Sequence, residues 1–577
     1  MEEAPSAGAT LSVLKVFWPA SARLLVVFAA CVLSSVVASW PLVIQSSSHF
    51  PSASDMPDLQ TAIWLPHNTL QQLSMGLSPT EAPGLNYPHG QGLLTVIWKC
   101  GVLFLQAPLY TMTHAVQAYT LSLLVLSSLN GLGGFALGWA VGRSSAAGAV
   151  GAAALVCSPY IWGELVQGRC EQGLLLWVAL TLAGLVGLWR DPTPRGGALA
   201  GTCWAISGIF YWFYGYFILF YAFGLLGLAV MQRRWDRVTG LVTSGAVAAL
   251  VAAPFAAPIA AAVLRADSAY SRATSAPILE SILPTQGGFS LGLRDLMWWQ
   301  HPPAALFAMV PVTLLVGLLA AWLQARTRTL AALGLAGLLF ALGPTLQWSA
   351  NDPVTLSGGV TLTLPLALLQ EHVPGFERLW WPYRFLALSI TAGAAGLAML
   401  VSLTRRPRLL ATALVLMLAA EHRLALSVSS GRLLWDQPES LQVPQLFSDL
   451  ARDPGEHPLF MLPYRGFLDN GLLWVPYHRQ PVSCADGYSE DFIHTPEALH
   501  AIARSPARRL LQRLAQDPMW QPGPIDPTTI HSEFRSDGFR YMVLHLSPSA
   551  TLPRYQPILG APSYLDEQIA AWDLAVP

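Results

Sequence analysis

Apolar blocks of roughly 20 residues, the length that crosses a bilayer as a helix, recur through about the first three-quarters of this chain. The pattern predicts spans at Ala22–Ile44, Ala115–Val141, Ser145–Trp162, Gln172–Trp189, Ala198–Trp212 and Phe213–Met231. It continues with Gly240–Val263, Ala304–Leu323, Thr329–Trp348, Phe385–Leu403 and Leu409–Leu426. Arginine is unevenly shared among the short connections, and positive charge marks the cytoplasmic side. With the N-terminus inside, Arg143, Arg190, Arg195, Arg233 to Arg237, Arg326, Arg328 and Arg405 to Arg408 all fall inside. A crossing at Leu93–Leu109 would reverse the later arginine loops. That segment, with Lys99 in its middle, is therefore expected to lie along or dip into the outer leaflet. The expected fold class is an α-helical polytopic membrane protein of about eleven transmembrane helices.

After Leu426 the hydropathy falls. Short apolar runs (LFMLP, YMVLHL) alternate with the helical pattern TPEALHAIARSPARRLLQRLAQ, which predicts a small C-terminal α/β or α+β extracytoplasmic domain. The expected organisation is a transmembrane domain over 1–426, with an outer loop at 46–114, and a soluble domain over 427–577.

Composition narrows the function classes. Hydrophobic residues make up 53% of the 577 and charged residues only 11%, with mean hydropathy +0.45, where a soluble domain carries about a quarter charged residues. A net charge of −1 without a basic stripe excludes a nucleic-acid partner. The cysteines (31, 100, 157, 170, 203 and 484) have no metal or redox spacing and read as small hydrophobes. The HEXXH metalloprotease pattern and the G-x-S-x-G elbow are both absent.

The outer face carries the remaining chemistry. Asp55 and Asp58 stand just behind the first span, followed by Trp64, His67 and the turn NYPHG, with Tyr87 and His89. Glu164, Arg169 and Glu171 follow in the next outer connection; Asp267, Arg272, Arg294 and Asp295 come later, and Arg378 and Arg384 precede the tenth span. Most interfacial charges are simply solvated, and Glu171 at a helix start is also what the helix dipole would stabilise. The aromatic run YWFYGYF reads as an interfacial belt, with ligand contact as the alternative. Asp469, His478, Asp486 and Asp491 read as loop residues of the tail domain.

Three short motifs carry a resemblance: Tyr87-Pro88-x-Gly90; Ser158-Pro159-Tyr160 with Gly168, Glu171 and Trp177; and Pro382-x-Arg384. Together with an early acid in the first large loop, they resemble the GT-C superfamily of polytopic glycosyltransferases, in its less characterised bacterial branch. The pattern departs from the family at Trp380, where an arginine is common; Arg378 stands close by. Either Asp55 or Asp58 matches the family acid, with the spacing to Trp64 favouring Asp58.

The resemblance implies transfer of a hexosyl or pentosyl group from a polyprenyl-phosphate-linked donor to an extracytoplasmic acceptor, in cell-envelope glycan synthesis at a bacterial inner membrane. Asp58, with Asp55 as alternate, would be the catalytic base or a metal-facing carboxylate. Arg384 would hold the donor phosphate, and Glu171 would bind acceptor. Arg378, Arg169, Tyr87 and His89 would be further substrate contacts. A divalent cation, Mg or Mn, would sit on Asp58 and Glu171. Two rival readings use the same polar residues: a transporter or flippase of lipid-linked saccharide, and a non-catalytic envelope-assembly protein.

Overall fold

The computed structural model describes all residues except 1–20, 52–56, 86, 89, 93, 266–309, 346, 350–351, 354, 356–358, 360, 374–375, 377–381, 429–439, 464–470, 484–503, 518, 524, 547–549 and 576–577. The chain forms two compact units. The first comprises residues 1–44, 98–102 and 121–437, and the second residues 45–97, 103–120 and 438–577.

The first unit is helical. A helix occupies at least part of every predicted span: α1 (Ser21–Ala38), α2 (Ala115–Gly142), α3 (Ser145–Val156), α4 (Pro159–Val166), α5 (Cys170–Gly173), α6 (Leu176–Arg190), α7 (Pro194–Phe210), α8 (Trp212–Met231), α9 (Trp235–Arg265), α10 (Val312–Leu323), α11 (Arg328–Ala341), α12 (Leu386–Leu403) and α13 (Pro407–Val428). Among the described residues five helices are long and apolar enough to cross a membrane, or six if the bent α3–α4 pair is one span. That is fewer than the pattern of apolar blocks predicts. Helix length accounts for part of the difference: α10 and α11, of 12 and 14 residues, rise only about 18–21 Å at about 1.5 Å per residue.

Burial orders these helices. The span Pro382–Leu403 is 83% buried and Trp235–Ala257 only 22%, so α12 is central and α9 peripheral. Small residues let the backbones meet, as they do where lipid supplies no hydrophobic drive between helices. A Cβ added at Gly134 of α2 would collide with the carbonyl oxygen of Gly151 in α3, and one at Gly396 of α12 with that of Gly317 in α10. Leu250, Leu319 and Leu416 remain exposed on the outer surfaces.

Two helices are broken, each for a visible reason. Between α3 and α4 the axis turns by 42° at Ser158–Pro159, where proline has no N–H to continue the ladder. Between α5 and α6 the helix is interrupted at Leu174 and Leu175. Asn130 of α2, fully buried, repairs that interruption. Its Nδ2 donates to the Gly173 carbonyl at 2.7 Å, and its Oδ1 accepts from the Leu176 N–H at 3.0 Å.

The second unit is built on a five-stranded mixed sheet. Its strands are β1 (Leu459–Leu462), β2 (Val482–Ser483), β3 (Tyr541–His545), β4 (Tyr564–Leu565) and β5 (Ile569–Asp573), in the order β2-β1-β3-β5-β4. β1 is parallel to both β2 and β3, while β5 is antiparallel to β3 and β4. The runs LFMLP and YMVLHL supply β1 and β3. Phe460, Leu462, Met542, Leu544 and Trp572 point into one core with Leu511, Leu514, Phe534 and Ile558 from the covering helices. Residues of the early loop dock on the β2 edge: Val482 donates to the Gly84 carbonyl at 2.7 Å and accepts from the Tyr87 N–H at 3.0 Å.

Candidate active site

The polar residues of the first unit converge where its helices break. Glu164, near the end of α4, is fully buried and forms an ion pair with Arg169, the residue that leads into α5. Arg169 also donates to the Gln167 side chain. The single turn α5 places Glu171 inward, at 8% exposure, within electrostatic reach of Tyr211.

Arg384 arrives from a 3₁₀ turn, Pro382–Phe385, that leads into α12. Its Nη1 donates to the Tyr211 hydroxyl at 2.7 Å, and its guanidinium carbon lies 5.5 Å from the Tyr211 ring centroid. It is 9% exposed, and its Nε has no hydrogen-bond partner among the described residues. Tyr383, Glu164 and Arg169 are its other electrostatic neighbours.

A second pair of phenols completes the wall. The Tyr160 and Tyr214 hydroxyls are 3.0 Å apart, and Tyr214 donates to the Gln172 carbonyl. Tyr160 meets Tyr383 edge to face at 6.2 Å. Three candidates from the sequence, Arg169, Glu171 and Arg384, thus share one buried cluster.

The aromatic run corrects an expectation. Tyr211 and Tyr214 do not form a solvent-side belt; both are buried in this cluster. The reason is local: Tyr211 is extended (φ −152°, ψ 105°) at the junction of α7 and α8, and the break turns its ring inward. Tyr160, Tyr211, Tyr214 and Tyr383 were not chosen as site residues from the sequence. Their signal was tyrosine at helix breaks rather than at helix ends.

Asp58 and Tyr87 belong to the second unit. Asp58 sits half-buried in the first turn of the helix Pro57–Ser74. That helix buries Gln60, Trp64, Asn68 and Gln72 at four-residue spacing. Burial and the neighbouring Arg479 hold the His67 imidazole below its ordinary pKa, favouring the neutral ring. Tyr87 packs its ring edge-on against Phe539, with centroids 5.5 Å apart. Asp55, His89 and Arg378 lie outside the described residues, as do Asp267, Arg272, Arg294 and Asp295.

Among the described residues no group of three or more His, Cys, Asp or Glu side chains is placed to hold a metal ion.

No protein-family model matches the chain, and no curated protein matches it in sequence. Solved structures do match. The apo oligosaccharyltransferase of Archaeoglobus fulgidus aligns with a TM-score of 0.52 at 12% identity, over 92% of this chain and 70% of its own. The fold is of the GT-C kind. The same archaeal enzyme, tethered to an acceptor peptide containing the NVT sequon, gives 0.50 at 11% identity over 91% and 69%. ArnT from Cupriavidus metallidurans, bound to undecaprenyl phosphate, gives 0.47 at 13% identity over 96% and 99%. The archaeal enzyme has also been crystallised with zinc and sulfate. At these identities the likeness to GT-C enzymes is one of fold.

Proposed function

We propose that this chain is an integral membrane glycosyltransferase that moves a hexosyl or pentosyl group from a polyprenyl-phosphate donor to an extracytoplasmic acceptor. We place it in the inner membrane of a bacterium, in cell-envelope glycan synthesis, with residues 427–577 on the extracytoplasmic side. The observation that carries the reading is Arg384: a buried guanidinium braced by Tyr211, its Nε unpaired among the described residues, inside a GT-C fold.

The chemistry needs a nucleophile and a stabilised leaving group. The acceptor hydroxyl attacks the anomeric carbon, and the bond from that carbon to the phosphate oxygen breaks. The polyprenyl phosphate departs with the electron pair, and a carboxylate takes the acceptor proton. Arg384 is assigned to the donor phosphate, because guanidinium makes paired, charge-assisted hydrogen bonds to phosphoryl oxygens. Asp58, with Asp55 as alternate, is assigned the proton. Glu171 is assigned to the acceptor, and Arg378, Arg169, Tyr87 and His89 to further substrate contacts. Arg169 also keeps Glu164 neutralised in the buried wall.

The test separates phosphate from lipid. Purified chain is incubated with undecaprenyl phosphate or undecaprenol, and retention is read by native mass spectrometry. The phosphate form should be retained preferentially, Arg384→Gln should abolish the preference, and Arg384→Lys should keep part of it. Equal retention of both lipids by the parent protein would remove the assignment. A double Asp55→Ala/Asp58→Ala variant that still transfers sugar at the parent rate would remove the assigned base.

A further inference from the structure

The opposite chemistry occurs elsewhere in the first unit, in an unmatched group of cations. Arg143 follows the end of α2, Arg190 closes α6, and Arg326 lies between α10 and α11. Three distant parts of the sequence thus place cations in one region, with Arg143 and Arg326 as charged neighbours of Arg190, whose guanidinium meets the α2 carbonyls two and three residues before Arg143. All three residues are exposed. Among the described residues none of them is ion-paired to a carboxylate.

Part of that charge is held by the fold. Arg190 donates to the carbonyl oxygens of Ala140 and Val141, so the negative end of the α2 dipole steadies one cation. Arg143 lies over the Trp139 ring at 5.5 Å, and Arg237 lies over Trp189, next to Arg190, at 4.2 Å. Rings steady a cation without neutralising it. Like charges gathered without a counter-charge repel, and an anion relieves that repulsion.

We infer that Arg143, Arg190 and Arg326 form a binding site for the phosphate of an anionic phospholipid. The neighbouring surface argues for a lipid over a soluble phosphate. Leu319, Trp322 and Leu323, just before Arg326 on α10, are all exposed and continue the cationic site into an apolar wall fit for acyl chains. Basic pockets between membrane helices recognise anionic headgroups by this combination. The site is independent of the glycosyltransferase assignment.

The experiment uses the full-length chain in neutral detergent, titrated with dioleoylphosphatidylglycerol, dioleoylphosphatidylcholine or sn-glycerol 3-phosphate, with bound lipid counted by native mass spectrometry. Phosphatidylglycerol should bind in preference to phosphatidylcholine. Arg143→Gln/Arg326→Gln should weaken it by about 25-fold, at about five-fold for each arginine near an anionic headgroup. Arg190 is left in place because it caps α2. The charge-matched control Arg405→Gln/Arg406→Gln, on the turn between α12 and α13, should leave binding within about two-fold. Equal weakening in both variants would overturn the site in favour of a diffuse field. Glycerol 3-phosphate competing as well as the lipid would overturn the lipid assignment. If the double variant does not fold, Arg326→Gln alone should show the five-fold loss, and its absence there would overturn the inference equally.

Discussion

Replacing Asn130 by alanine tests how the break before α6 is held. The substitution removes a donor from the Gly173 carbonyl and an acceptor from the Leu176 N–H, both in a fully buried setting. Leaving a buried polar group unpaired costs about 1–3 kcal/mol, so two such groups give about 2–6 kcal/mol. Side-chain hydrogen bonds between membrane helices average about 0.6 kcal/mol, which sets a floor of about 1.2 kcal/mol for two. Asn130→Ala should therefore destabilise the folded chain by about 1–6 kcal/mol. Asn130→Asp would turn a carboxylate oxygen toward the Gly173 carbonyl oxygen in a fully buried setting, and should destabilise at least as much as alanine. The assay is equilibrium unfolding in mixed micelles, followed by far-ultraviolet circular dichroism. If alanine unfolds at the parent midpoint, the break is held by the packing of α5 and α6 alone, and the argument from Asn130 fails.

Three further outcomes are expected. Gly134→Leu forces a side chain into the Gly151 backbone and should destabilise the first unit by at least about 1–3 kcal/mol, visible as a lower melting midpoint. Burial holds His478 at a pKa of about 3 and His545 at about 4. Both are neutral when folded and take up protons more readily when unfolded. Their stabilisation is therefore full above about pH 6.5 and is lost as the pH falls from there toward about 3–4. Unfolding of the parent across that range, compared with His478→Leu/His545→Leu, should show a shallower acid slope in the variant. Asp537→Ala strands the buried Arg508, which sits 2.9 Å from that carboxylate among Phe460, Phe534 and Phe539. Because Asp537 is partly exposed, the expected loss is about 1–2 kcal/mol, read by thermal unfolding.

The helices were legible because apolar blocks in lipid need only length and hydropathy to declare themselves. The breaks were not. Nothing in the hydropathy of Gln172–Trp189 separates α5 from α6; the interruption exists because Asn130, more than 40 residues earlier, satisfies the backbone it frees. The candidate site shows the same division. Arg169, Glu171 and Arg384 stood out as charges beside apolar helices, whereas Tyr211 and Tyr214 were hidden within an aromatic run whose composition fits a membrane interface equally well. Only the extended backbone at Tyr211 decides between those roles. LFMLP and YMVLHL announced two strands. The partnership of Gly84 and Tyr87 with Val482 joins segments almost 400 residues apart, and no local pattern encodes it.

That partnership bears on the order in which the protein is made. The loop around Gly84 emerges from the ribosome early, while the strand edge that receives it emerges near the end of synthesis. Through most of translation the loop has no strand edge to receive it, so its hydrogen bonds to Val482 must wait for the last quarter of the polypeptide. A chain stalled or truncated before Val482 would leave that early segment open to quality-control proteases, however well its helices had already inserted.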